Sequence, residues 1–256
     1  MNAFALLRAI RPQQWVKNVF VLAALFFSWG EHGEVVTGGP LKLTLLAFLA
    51  FCLGASAIYL VNDVLDIESD RRHPEKRSRP IAAGEVAIPT ALVASLACAA
   101  LSMTCAWLAG AGTPKVMTIV AGYVLLNFSY SLKLKHIVLV DAFCIATGFL
   151  LRVLGGAVAA SVTVSHWLLL CTIFLALFLA LCKRQAEISL LGADRGSHRK
   201  ILLEYSPAFL DQVVTIVAAC TIVCYTMYTV ADDTRTKFGT DRLVWTVPFV
   251  VFGLFR

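Results

Sequence analysis

The sequence predicts an all-α protein, a polytopic bundle of transmembrane helices with about eight crossings. Of its 256 residues, 59% are hydrophobic and only 15% are charged. Apolar runs long enough to cross a bilayer, which takes about 20 helical residues, recur along nearly the whole chain. The basic residues are also shared unevenly between alternate loops, as is typical of multi-pass membrane proteins.

Windows of about 19 residues locate the predicted crossings in order. They cover residues 18–31, 41–61, 88–109, 115–132, 137–160, 166–183, 208–231 and 243–255. The loops near 110–115 and 161–166 are short, whereas those at 62–87 and 184–207 are long and charged. Because no repeat, low-complexity tract or linker divides the chain, we expect one integral-membrane domain over residues 1–256.

The loop charges predict the orientation of the bundle. With a cytoplasmic N-terminus, fifteen Lys and Arg residues lie in cytoplasmic segments and five lie in the opposite loops. By the positive-inside rule, this bias places the N-terminus and the long charged loops in the cytoplasm. The eight cysteines lie in or beside apolar runs and form no CxxC pair, which argues against a zinc site or a disulfide framework.

A dense strip of charge, NDVLDIESDRRHPEKRSRP, begins at Asn62 directly after an apolar run. If the helix continues through it, Asn62, Asp63, Asp66 and Asp70 fall within an arc of about 100°, while Glu68 points away. Four oxygen ligands on one face predict a hard cation such as Mg²⁺, which takes one or two carboxylates and substrate phosphate oxygens. The alternative is a solvated helix end whose acids pair with neighbouring basic residues.

Basic residues follow the acids and suit both interpretations, because Lys and Arg also bind phosphate. They are Arg71, Arg72, Lys76, Arg77 and Arg79. Lys17 lies at the cytoplasmic end of the first predicted crossing beside Trp15, where it either binds phosphate or extends to the interface. Arg152 lies inside a predicted crossing, so we expect it to face the bundle interior or a polar cavity.

Two further polar groups lie at predicted cytoplasmic helix ends. One contains Tyr130, Lys133, Lys135 and Asp141, and the other contains Lys183, Arg184 and Glu187. Positive-inside anchoring accounts for the lysines alone but not for an aspartate within an apolar run. Lys183 and Glu187 are also spaced to pair with each other on a helix.

The segment YLVNDVLDIESDRRHPEKRSRPIAAGEV resembles the first Asp-rich motif of the UbiA-type intramembrane prenyltransferase superfamily. LLRAIRPQQWVKNVFVLAALFFS, YSLKLKHIVLVDAFCIATGFLLRVLGGAVA and CKRQAEI look like its branch of decaprenyl-phosphate phosphoribosyltransferases, and the resemblance covers essentially the whole chain. It implies nine transmembrane helices around a lipid-accessible cavity capped by cytoplasmic loops. Relatives continue past the segment matching VPFVVFGLFR, so the resemblance predicts that a final helix is missing here.

The second Asp-rich motif of ordinary superfamily members is absent, and the corresponding loop carries Lys183, Arg184 and Glu187. The resembling branch uses 5-phosphoribosyl 1-diphosphate as donor and a polyprenyl phosphate as acceptor. It makes a precursor of the arabinose donor lipid for cell-wall polysaccharide, in the bacterial cytoplasmic membrane. The rival functions are prenyl transfer to an aromatic or other acceptor, and transport of a phosphorylated lipid.

The expected site residues follow from this resemblance and from the charged groups above. We expect Mg²⁺ on Asn62, Asp63, Asp66 and Asp70, and catalytic roles for Asp66, Asp70 and Lys17. The expected substrate contacts are Lys17, Asp63, Lys76, Arg77, Arg79, Tyr130, Lys133, Lys135, Asp141, Arg152, Lys183, Arg184 and Glu187. We expect no nucleic-acid partner.

Overall fold

A computed structural model describes residues 3–23, 25–26, 38–191 and 205–256. Within these ranges the regular structure is helical and no β-strand occurs, which confirms the all-α prediction. The α-helices are α1 Ala3–Ile10, α2 Gly39–Leu65, α3 Ile67–Arg72, α4 Ile88–Ala109, α5 Pro114–Leu132, α6 Val140–Ala160, α7 His166–Leu191, α8 Pro207–Val230, α9 Asp232–Phe238 and α10 Val247–Phe255. Segments of 3₁₀ helix cover Pro12–Leu22, Lys76–Ser78, Leu134–His136 and Arg242–Thr246.

Six of the described helices, α2 and α4 to α8, are long and apolar enough to cross a membrane, and they match six predicted crossings. A seventh is reached if α9 and the segment Arg242–Phe255, bent by 97°, count as one. The predicted crossing at 18–31 begins within a 3₁₀ helix, and residues 27–37 lie outside the described ranges. The predicted crossing at 243–255 is divided between a 3₁₀ segment and α10.

Proline marks the first turn of several membrane helices. Pro40, Pro89 and Pro207 lie at the starts of α2, α4 and α8. The fixed φ of proline suits a first helical turn, where its missing N–H costs no hydrogen bond. Ser206 caps α8, because its Oγ accepts a hydrogen bond of 3.1 Å from the Phe209 N–H.

The described residues group into two compact units. The first contains those of Met1–Phe26, Val35–Ser131 and Leu151–Val162, and the second contains the remainder. The boundary at Leu151 falls within α6. The expectation of a single domain stays a prediction.

Small residues let α2 and α4 approach closely in the first unit. Ser102 Oγ donates to Ala50 O at 2.7 Å, and Ser95 Oγ donates to Ala57 O at 2.9 Å. A Cβ on Gly54 would lie only 3.1 Å from Ser102 Oγ. Because apolar surface gains little by leaving lipid, such close packing and interhelical hydrogen bonds hold membrane helices together.

Two consecutive glycines, Gly155 and Gly156, let α6 approach other parts of the first unit. A Cβ on Gly155 would lie 2.6 Å from the Phe51 ring, and one on Gly156 would overlap the backbone oxygen of Val21. Both positions therefore require glycine for their close contacts. They follow Arg152 by one turn, so they help to bring its helix against the N-terminal segment.

The second unit has its own core between α6, α7 and α8. Its largest fully buried side chains are Tyr205, Leu181 and Leu210. Alanines at 142, 146, 176 and 180 provide the small residues of this core.

Candidate active site

The Asp-rich segment lies at the end of α2 and continues into α3. The helix does not continue unbroken through Asp70, the condition under which all four oxygens share one face. It breaks at Asp66, which has φ −93° and ψ 7° between α2 and α3. Hydrogen bonds from the Asp66 N–H to Asn62 O and from the Asp70 N–H to Asp66 O, both 2.8 Å, carry the chain across this break. Aspartate has a weak helix propensity, and the break falls on it.

Two arginines bind the acids of this segment. Arg79 Nη1 donates to Asp63 Oδ1 at 3.2 Å and to Asp70 Oδ2 at 2.6 Å, and Arg11 Nη2 also donates to Asp63 Oδ1. Asp63 and Asp70 are each only 2% exposed, whereas the side chain of Arg11 is 20% exposed and that of Arg79 is 27% exposed. Buried carboxylates need such partners, because an unpaired charge away from water is costly.

Some oxygens of the segment remain available. Asn62 Oδ1 and Asp63 Oδ2 are buried and accept no hydrogen bond from the described residues. The Asp66 carboxylate is half-buried and forms no hydrogen bond or ion pair within the same ranges. These are hard oxygen ligands, and Mg²⁺ needs few of them because water and substrate phosphates complete its shell. The segment therefore fits a magnesium ion.

The predicted four-oxygen cluster does not assemble in the form expected. Within the described ranges, no three Asp, Glu, His or Cys side chains come together as a metal cluster. The physical reason is that Asp70 and one oxygen of Asp63 bind Arg79 instead. Both sequence interpretations are thus partly realised, since the acids pair with arginine and still leave oxygens unbonded.

Other predicted basic residues, in this strip and in the N-terminal 3₁₀ helix, lie nearer the surface. Lys76 and Arg77 are exposed in a 3₁₀ turn, and Lys17 is exposed on the N-terminal 3₁₀ helix. Arg71 Nε donates to Ala82 O at 3.1 Å, and its Nη1 lies 3.6 Å from Glu68 Oε1. Lys76 and Arg77 are accessible to phosphate groups.

Arg152 lies inside the first unit, as expected for a charge within a crossing. Its Nε donates to Asn18 Oδ1 and its Nη2 donates to the Tyr123 hydroxyl, both at 2.7 Å. The guanidinium carbon also lies 4.6 Å from the centre of the Tyr123 ring. Asn18 in turn donates to Cys52 Sγ at 3.2 Å. Arg152 therefore joins α6 to α5 and the N-terminal 3₁₀ helix.

A buried ion pair joins α6 and α7 in the second unit. Arg184 Nε donates to Asp141 Oδ2 at 2.9 Å, and Arg184 Nη1 donates to Glu187. Asp141 is fully buried and Arg184 is 3% exposed. Glu187 binds Arg184, whereas Lys183 is exposed, so the alternative pairing of Lys183 with Glu187 is not the one observed.

Tyr205 completes this cluster, although no motif in the sequence predicts its role. Its hydroxyl donates to Asp141 Oδ1 at 2.8 Å and accepts from the Leu139 N–H at 2.7 Å. Burial, opposed in part by the Leu139 N–H and assisted by the Asp141 carboxylate, raises the pKa of Tyr205 to about 12. The phenol therefore stays protonated and remains a donor. The Asp141 carboxylate accepts hydrogen bonds from Tyr205, Arg184 and the Ala142 N–H. This favours a role for Asp141 in holding these side chains in place over the direct substrate contact expected from the sequence.

The remaining predicted contacts lie beside these clusters. Tyr130 is half-buried near the end of α5 in the first unit. Lys133 is exposed and Lys135 is half-buried in the turn before α6 in the second unit. Their side chains add positive charge to the segments where the crossings end.

These features define a multi-pass helical membrane protein that carries an acidic, arginine-bound site at the end of a membrane helix. The chain belongs to the UbiA prenyltransferase family, since a sequence model of that family matches residues 18–255. The resemblance expected from the Asp-rich motif is thereby confirmed.

Similar proteins include two bacterial enzymes and several solved structures. A decaprenyl-phosphate phosphoribosyltransferase from Mycolicibacterium smegmatis is 39% identical over 97% of this chain and 79% of its own length. An enzyme of the same name from Corynebacterium glutamicum is 39% identical over 97% of this chain and 74% of its own length. A UbiA homolog from Archaeoglobus fulgidus bound to GPP and Mg²⁺ has a TM-score of 0.75 at 18% identity, covering 98% of this chain and 84% of that one. The last likeness shows the shared fold.

Proposed function

We propose that this protein transfers a 5-phosphoribosyl group from 5-phosphoribosyl 1-diphosphate to a polyprenyl phosphate, of the decaprenyl type, and releases pyrophosphate. The observation that carries the proposal is the buried Asp63–Asp70 site with its arginines and unbonded oxygens, in a chain so similar to decaprenyl-phosphate phosphoribosyltransferases. A site of this kind suits a ligand that brings phosphate oxygens and shares a cation with the protein.

The Asp-rich segment binds the donor in this proposal. Asn62, Asp63 and Asp66, which keep unbonded oxygens, are the residues that would hold Mg²⁺, while Asp70, the fourth expected ligand, binds Arg79 beside them. A bound Mg²⁺ would neutralise the negative charge that develops on the departing pyrophosphate. Arg79 contributes fixed positive charge beside the same carboxylates.

Exposed cations bind the phosphate groups of donor and acceptor. In the first unit these are Lys17, Lys76 and Arg77. In the second unit the exposed cations are Lys133 and Lys183. Lys135 is half-buried, and Arg184 is buried and held by Asp141 and Glu187. Lysine acts as a mobile point charge, whereas arginine offers a planar fork that matches two phosphate oxygens.

The transfer needs no general base. A phosphate oxygen of the acceptor attacks C1 of the ribose, and the C1–O bond to pyrophosphate breaks with its electron pair on the leaving oxygen. The acceptor is already anionic at neutral pH, so no proton has to be removed, and positioning supplies much of the rate. We therefore assign His73 and His136 no role as acid–base catalysts.

The lipid acceptor is reached from the bilayer, and the donor arrives from the cytoplasm. We infer this orientation from the excess of Lys and Arg in the segments assigned to the cytoplasm. In a bacterium, the protein would lie in the cytoplasmic membrane. Its product would serve as a precursor of the arabinose donor lipid for cell-wall polysaccharide.

Prenyl transfer from a prenyl diphosphate is the second candidate, because the chain belongs to a prenyltransferase family. One observation argues against prenyl transfer. A prenyl diphosphate enzyme would carry a second Asp-rich motif for a second metal in the region where this chain has the basic pair Lys183–Arg184.

The proposal is tested by supplying both donors to the purified full chain in detergent. Ribose-labelled 5-phosphoribosyl 1-diphosphate, polyprenyl phosphate and Mg²⁺ should yield label that extracts into organic solvent, and EDTA should abolish the transfer. Labelled geranylgeranyl diphosphate with an aromatic acceptor is the matched reaction. If the prenyl donor reacts and 5-phosphoribosyl 1-diphosphate does not, the proposed function is wrong and the protein is a prenyltransferase.

A further inference from the structure

Arg11 is held in a strained turn against one face of α2. It has φ 57° and ψ 60°, the left-handed region that a side-chain-bearing residue rarely adopts. The turn joins α1 to the 3₁₀ helix that begins at Pro12. Strain of this kind persists only where surrounding contacts impose it, and it is concentrated at functional sites.

Three residues on one face of α2 impose this turn. Ser56 Oγ donates to Ile10 O at 2.9 Å and accepts from Trp15 Nε1 at 3.0 Å, which fixes the chain on both sides of Arg11. Tyr59 places its ring centre 5.2 Å from the guanidinium carbon, and Asp63 accepts a hydrogen bond from it. The spacing of three, four and seven residues puts these side chains on one helical face.

Arg11 is one of two donors that occupy the same Asp63 oxygen and leave the other one open. Oδ1 accepts from both Arg11 and Arg79, whereas Oδ2 is buried and has no partner within the described ranges. With two donors on one oxygen, the carboxylate is held in a single orientation. A buried oxygen without a partner is costly unless a ligand completes it.

We propose that Arg11 is a positioning residue of the acidic site, which holds Oδ1 of Asp63 so that Oδ2 stays available to a divalent cation. The inference rests on the proposed function in one respect: a divalent cation must bind at the Asp-rich segment. It does not depend on the identity of the donor or the acceptor. Partners that orient metal ligands in this way typically contribute 10- to 100-fold to metal affinity.

The inference is tested by measuring Mn²⁺ binding to the purified full chain in nanodiscs, without substrates. Electron paramagnetic resonance reports the concentration of free Mn²⁺. We expect Arg11→Ala to weaken binding roughly tenfold, although it removes a positive charge from the neighbourhood of the cation. Arg11→Lys keeps the charge and one donor, so its affinity should fall between those of Arg11→Ala and the unmodified protein.

Arg8→Ala is the matched control. Arg8 lies one turn away and pairs at the surface with Glu85 at 3.2 Å, so its removal changes net charge equally and should leave Mn²⁺ affinity unchanged. Unchanged or tighter binding in Arg11→Ala would overturn the inference, because tighter binding means that Arg11 competes with the cation. If Arg11→Ala does not fold, Arg11→Lys with unaltered affinity overturns it equally.

Asp66→Asn separates this inference from the proposed metal site. Mn²⁺ binding that is lost in Asp66→Asn but unchanged in Arg11→Ala and Arg11→Lys would overturn the role of Arg11 alone. An unmodified chain that binds no Mn²⁺, or an Asp66→Asn variant that binds it normally, would overturn the metal site and this inference with it.

Discussion

Replacing Tyr205 by Phe should lower the free energy of unfolding by about 3 kcal/mol. The substitution keeps the buried ring and removes only the hydroxyl. That hydroxyl donates to the Asp141 carboxylate at 2.8 Å and accepts from the Leu139 N–H at 2.7 Å. A hydrogen bond to a charged group contributes about 1.5–3 kcal/mol and a neutral one about 1 kcal/mol.

The loss is measured by titrating the purified chain from mild detergent into a denaturing one and following its helicity. Tyr225→Phe is the matched control, since its hydroxyl shares one neutral hydrogen bond of 2.7 Å with Thr246. That variant should lose about 1 kcal/mol. Equal losses in the two variants would refute the reasoning that the Tyr205 hydroxyl supports a buried carboxylate.

Three further predictions concern packing, pH and the buried ion pair. Gly156→Ala should destabilise the protein in the same titration, because its Cβ would overlap the Val21 backbone, whereas Gly122→Ala meets open space and should be neutral. Because the pKa of Tyr205 rises from 10.0 to about 12, its neutral form stabilises the folded state fully below pH 10. This contribution is lost as the pH rises through about 12, so unfolding of the Phe variant should depend less on pH over that window. Arg184→Met should cost about 3–5 kcal/mol in the denaturation assay, because it leaves its carboxylate partner buried and unpaired.

The apolar runs allowed the crossings to be predicted well. Six predicted segments coincide with the described membrane helices, because about 20 apolar residues in lipid must satisfy their backbone internally as a helix. The break at Asp66 was not predictable in this way, since no Pro or Gly marks it. Loop polarity also allowed the acidic segment to be located.

Long-range contacts set the limit of the sequence analysis. Arg11 meets Asp63 across 52 residues and Tyr205 meets Asp141 across 64, so spacing along one helix could not reveal either contact. Arg11 is only one of several basic residues near the N-terminus, and Tyr205 adjoins a charged loop without any motif. An unexplained aspartate at position 141 was the one signal that a buried partner existed.

The most direct test of the central claim compares Asp66→Asn with Glu68→Gln in the phosphoribosyl transfer assay. Asp66 is half-buried and makes no side-chain hydrogen bond or ion pair in the described residues, so its substitution leaves the arginine contacts intact. Glu68 is exposed and loses the same charge. We predict that Asp66→Asn lowers Mg²⁺-dependent transfer more than roughly 100-fold, whereas Glu68→Gln remains active. Residues that only orient a metal ligand typically contribute 10- to 100-fold, so a larger loss indicates direct metal binding. Full Mg²⁺-dependent transfer by Asp66→Asn would contradict the account.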